Sequence, residues 1–104
     1  MTDTLDQLYD DLKNIIFNHI DNCVAEAKYG GTLIREESEK EHFCGLFKYK
    51  KHISIELPHG AKLTEWQDIL QGNGKHRRHL KFDLETNIDI HLILDIVTAS
   101  LKQC

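Results

Sequence analysis

The chain holds a single proline, Pro58, among its 104 residues, one tryptophan and one methionine. No proline-rich or low-complexity linker divides it, and at this length it is expected to form one domain over residues 1–104 with a single core. No apolar run approaches the roughly 20 residues needed to span a bilayer. The opening MTDTLDQLYDDLK lacks the basic region and apolar core of a signal peptide, which predicts a cytoplasmic protein. Cysteine is scarce too. Cys23, Cys44 and Cys104 are odd in number and form no CxxC pair, so a disulfide framework and a zinc ribbon are both excluded and reduced thiols are expected. GxSxG, HExxH, Walker A and dinucleotide-loop motifs are missing as well, and Cys44 near His42 or His52 lacks a third orienting group. The chain is therefore expected not to be an enzyme.

What is present is charge, unevenly distributed. The net charge is −4. Residues 1–41 carry ten acidic against four basic side chains, residues 42–83 four against eight, and residues 84–104 three against one. An acidic region and a basic region follow.

Periodicity predicts an α+β fold. TLDQLYDDLKNIIFNHIDNCVAEAKYGG places Leu5, Leu8, Leu12, Ile15, Ile16, Ile20, Cys23, Val24 and Ala27 at threes and fours, as in one long helix. Thr4 and Gln7 stand at capping-box spacing, and Gly30 and Gly31 serve as the stop. Extended segments are expected at 32–37, 43–48 and 52–57, with Pro58 and Gly60 ending the third. A three-residue loop of Tyr49, Lys50 and Lys51 would set Phe47 opposite Ile53, Gly45 opposite Ile55 and Phe43 opposite Leu57 on the core face. His42, Cys44, Leu46, Lys48, His52, Ser54 and Glu56 would then form a polar face. LTEWQDILQG reads as a short helix begun by Thr64, LKFDL as a fourth strand, and NIDIHLILDIVTASLKQC as a carboxy-terminal helix capped by Thr86. The sheet of about four antiparallel strands carries that last helix on one face. The helix's wide apolar sector, including Ile93, Leu94, Val97 and Leu101, also suits a homodimer.

Two sets of residues follow directly from charge and placement. Lys75, Arg77, Arg78 and Lys81 of QGNGKHRRHLKF, with Lys48, Lys50, Lys51 and His52 of the hairpin, form a basic set suited to an anion or an acidic protein partner. Nucleic acid is disfavoured by the modest charge, and Tyr49 is the one ring interleaved with these cations. His42, Cys44 and Glu56, with His52 nearby, are a second candidate, for zinc or ferrous iron.

The blocks KYGGT at 28–32, YKKHISIELPHGAKL at 49–63, ILQGNGK at 69–75, RHLKF at 78–82 and NID at 87–89 resemble, in order and spacing, those of the bacterial YdhG-like proteins. Many members have proline after the paired glycines, where this chain has Thr32. The resemblance implies an α+β fold and, for the most part, a domain of unknown function. Some members are described as frataxin-like intracellular iron chaperones, which would make iron the ligand. On that implication Asp3, Asp6 and Asp10 on one helical ridge, with Glu36 and Glu37 on the first strand, are the carboxylates that would hold it weakly, since hard oxygen ligands suit iron ions.

Overall fold

A computed structural model describes residues 4–103. Its elements are α1 (Leu5–His19), β1 (Cys23–Lys28), β2 (Gly31–Glu36), β3 (His42–Lys48), β4 (Ile53–Leu57), β5 (Arg78–Phe82) and α2 (Ile90–Leu101). The fold is α+β, with the five strands forming one antiparallel sheet in chain order. Neighbours in the sheet are thus consecutive in the chain, although residues 58–77 separate β4 from β5.

α1 begins as its sequence predicts, with the Thr4 hydroxyl accepting from the Gln7 backbone N–H at 3.1 Å. It ends at His19, eight residues before Ala27, the last position of the apolar spacing. Ile20 is extended and Asn22 takes φ 58, a left-handed conformation that asparagine tolerates and that helices do not continue through. CVAEAK then runs as a strand instead. Tyr29 and Gly30, at φ 55 and 78, make the two-residue turn whose paired positive φ values match the twist of a hairpin. All six residues of β1 pair with β2, from Cys23 opposite Glu36 to Lys28 opposite Gly31. The paired glycines close a hairpin rather than stop a helix, and the sheet gains a fifth strand.

The β3–β4 hairpin takes the register with Lys48 opposite Ile53, Phe47 opposite Ser54, Leu46 opposite Ile55 and Gly45 opposite Glu56. Tyr49 N–H donates to the His52 carbonyl at 2.8 Å, leaving Lys50 and Lys51 at the tip. This shifts the expected pairing by one residue and exchanges the faces of β3. Leu46 and Cys44 are fully buried, whereas Phe47 keeps partial exposure. Lys48 is tolerated on the core side because it sits at the strand end, where its long stem lets the ammonium reach Asp6 at 2.5 Å. Toward the other end, register slips between Ile34 opposite Cys44 and Arg35 opposite His42. Phe43 is the extra residue of this bulge, and consecutive Phe43 and Cys44 are both fully buried.

Leu8, Leu12 and Ile16 of α1 and Ile93, Ile96 and Val97 of α2 meet Ile34, Leu46, Ile53, Ile55, Leu57, Leu80 and Phe82 in one core. Both helices contact β3 and each other. Tyr9 fixes α1 to the sheet, its hydroxyl bonding the Thr32 hydroxyl and donating to the Leu46 carbonyl at 3.3 Å. A proline at position 32 would have no hydroxyl for this contact. The expected short helix is instead two 3₁₀ turns, Gly60–Lys62 and Thr64–Trp66. Asp89, not Thr86, caps α2 by accepting from Leu92 N–H at 3.1 Å. Thr86 closes the preceding turn, its hydroxyl donating to Asp83 at 2.9 Å. Among the described residues no helix is long and apolar enough to cross a membrane.

A candidate ligand-binding groove

The helices cover one face of the sheet, and strand alternation turns Leu33, Gly45, Phe47 and Glu56 to the other. A groove of about 530 Å³ lies there. Leu33, Gly45, Phe47 and Pro58 give it an apolar floor; Tyr29 and Tyr49 stand at the hairpin tips, and His42, Glu41, Glu56 and Arg77 line the remainder. Phe47 forms the flat part of the floor. Its ring occupies the space that a Cβ at Gly31 would need and lies close to the Cβ position of Gly45. Two glycines on neighbouring strands therefore let one aromatic ring settle onto the sheet.

The expected basic set divides. Lys48 is taken by Asp6 on the helix side. Arg78 serves the turn itself, its Nη1 donating to the carbonyls of Gly74 and Arg77 at 2.6 Å each. Its stem packs against Gly60, where an added Cβ would fall 2.5 Å from Arg78 Cβ. Lys50 and Lys51 are exposed at the hairpin tip, and Lys75 and Lys81 are exposed as well. His52 stacks on Tyr49 with ring centroids 4.7 Å apart and planes 18° apart. Burial, then the charges of Lys81 and His79, hold the His52 imidazole below its ordinary pKa. Arg77 is exposed, lines the groove, and its guanidinium makes no hydrogen bond or ion pair among the described residues.

The carboxylates of the groove are engaged. Glu56 accepts from the Ser54 hydroxyl at 2.6 Å, and Glu41 pairs with His59. Beside them Glu26 Oε1 bonds both Arg35 Nε and His42 Nε2 at 2.8 Å. The Arg35 hydrogen bond, followed by that of His42, holds the Glu26 carboxyl below its ordinary pKa. Arg35 Nη1 also donates to the carbonyls of Glu36, Glu37 and Glu39 at 3.2, 3.1 and 3.0 Å, tying down the loop after β2. Glu26 and Arg35 escape a reading that assigns Glu26 to a helix; the KYGG turn was the available signal for a hairpin.

Among the described residues the helix and strand members of the acidic set lie apart. Asp3 lies outside the described residues. Asp6 meets Lys48 at one end of β3, while Glu36 lies on β2 by the His42 end, about 20 Å away for six residues of strand. Asp10 and Glu37 are exposed. The expected His42, Cys44 and Glu56 all line the groove, but Cys44 is fully buried and His42 turns to Glu26. Among the described residues no group of three or more His, Cys, Asp or Glu is arranged to hold a metal ion. Burial, Glu36 and Asp21 push the Cys23 thiol up, which keeps it protonated and a poor nucleophile at neutral pH.

Fold and groove define an α+β protein with an N-terminal helix, a five-stranded antiparallel sheet and a C-terminal helix, and a groove lined largely by residues of that sheet. Comparison with protein-family models, curated proteins and solved structures finds no match to the chain.

Proposed function

We propose that the chain is a binding protein, not an enzyme, and that the open sheet face takes a small anionic ligand. One observation carries this: Tyr49 of the hairpin and Arg77 of the basic turn line the same groove. A guanidinium without a partner among the described residues, beside an apolar floor that lowers the local dielectric, favours a carboxylate or phosphate more than the same group in open solvent would. Glu41 and Glu56, the two acids of the groove, are held by hydrogen bonds to His59 and Ser54, which orient their charge without cancelling it. Lys50, Lys51 and Lys81 add attraction at longer range, which salt will screen.

Calorimetry with inorganic pyrophosphate tests the proposal. Binding is expected to weaken as salt rises and to weaken again in Arg77→Ala; affinity unchanged in that variant refutes it. Arg78→Ala is the wrong probe, because Arg78 holds the turn. Membership of the YdhG-like family, and with it weak iron binding, is a separate proposal supported by the sequence blocks rather than by the groove.

A further inference from the structure

Resting on the anion site just proposed, we infer that the groove recognises a nucleotide-type ligand, with a flat ring at the Phe47 end and phosphate at Arg77. The two ends differ in chemistry. At one, Tyr29, Phe47 and Tyr49 offer three rings around a floor made flat by Gly31 and Gly45. Tyr49 is already oriented by stacking on His52, so less side-chain freedom is lost when a ligand ring joins it. A ring system is the ligand part that such a surface rewards, because every π-face can stack whatever its hydrogen-bonding edge. At the other end Arg77 precedes Arg78, which faces Leu57. Phe47 faces Ser54, so Phe47 and Arg77 stand about four residues apart along the strands, or about 13 Å, and two strands apart across the sheet.

That separation suits a ring joined to phosphate through a sugar and excludes a compact aromatic acid, whose carboxylate would fall short of Arg77. Tyr29 adds an independent sign. It is 86% exposed and holds φ 55 in a turn where asparagine or glycine is the unstrained choice. A bulky ring at that position gains nothing from burial in the free protein, and it stands at the mouth of the groove.

The test compares ADP, adenosine, inorganic pyrophosphate and a short oligoadenylate by calorimetry on the full chain, with Tyr29→Asn, Tyr49→Ala and Arg77→Ala variants. Tyr29→Asn suits the turn and Tyr49 is half-exposed, so both variants are expected to fold, which a thermal melt checks. ADP should bind about tenfold or more tightly than pyrophosphate, the size of one stacking contact. Each tyrosine variant should reduce that margin without changing pyrophosphate affinity, and Arg77→Ala should weaken both anions. Equal affinities for ADP and pyrophosphate, both lowered by Arg77→Ala, would overturn the ring assignment and leave the anion site standing. Indifference of both to Arg77→Ala refutes the two together. Oligoadenylate binding more tightly than ADP would overturn the free nucleotide in favour of a single-stranded nucleic acid.

Discussion

The ring of Phe47 fills the space in which a side chain at Gly31 would begin. Gly31→Ala must therefore move the ring off the sheet or separate β2 from β3, because the Leu46 carbonyl also crowds that position. Overpacking of this kind costs about 1–3 kcal/mol. Chemical denaturation should register that loss, whereas Gly74→Ala, with nothing within 4 Å of its added methyl, should change stability little. Equal effects of the two would mean that the Phe47 ring is not seated on Gly31.

Ser100 joins α2 to the bulge. Its hydroxyl is fully buried and donates to the Phe43 carbonyl at 2.5 Å. Ser100→Ala removes a donor from a buried acceptor, a loss of about 1–3 kcal/mol. A melt that drops by several degrees is the expected outcome, and an unchanged melt would mean that water or another donor satisfies the Phe43 carbonyl.

Much of this architecture is legible in the residues. The Thr4 cap, the apolar stripes of both helices and the strands from β2 to β5 follow from local periodicity and turn chemistry. β1 was hidden because Cys23, Val24 and Ala27 continue the helical spacing of α1 by coincidence, and only pairing with β2 makes them a strand. The groove was hidden for a different reason. Faces of β3 depend on register, and register here is set by the Lys50–Lys51 tip and the bulge at Phe43, with Lys48 rescued by Asp6. Once Phe47 is assigned to the core, no floor remains for a groove. Arg77 could still be read from charge, but Tyr29 and Glu26 could not.

Acid should loosen the β1 edge. Glu26 has a folded-state pKa below its ordinary value of 4.5 because Arg35 and His42 bond its ionised form. A depressed carboxyl contributes stability that is present above the unfolded value and is lost as pH falls through the folded one. Stability is therefore expected to fall with acidification from about pH 4.5 downward, a trend that Glu26→Gln should flatten. Parallel acid curves for the two proteins would show that this cluster contributes nothing to the pH dependence.

Iron can be tested against the same geometry. Asp6 and Lys48 form an exposed pair, with side chains 80% and 47% accessible, so Asp6→Asn should cost no more than about 1 kcal/mol. Because the described carboxylates do not converge, anaerobic titration with ferrous iron should give a shallow curve that Asp6→Asn leaves unchanged. A saturable step lost in that variant would instead show that the pair opens to admit the metal.

Tyr29 sets stability against binding. A non-glycine residue in the left-handed region carries a cost of about 1–2 kcal/mol, which asparagine largely avoids through local hydrogen bonding. Backbone strain of this kind persists where function requires the side chain. Tyr29→Asn is therefore expected to raise stability by up to about 1 kcal/mol while weakening ADP binding, so that melting temperature and affinity move in opposite directions. A variant that gains stability and keeps full ADP affinity would remove Tyr29 from the site. One that loses both would show that the ring supports the hairpin rather than a ligand.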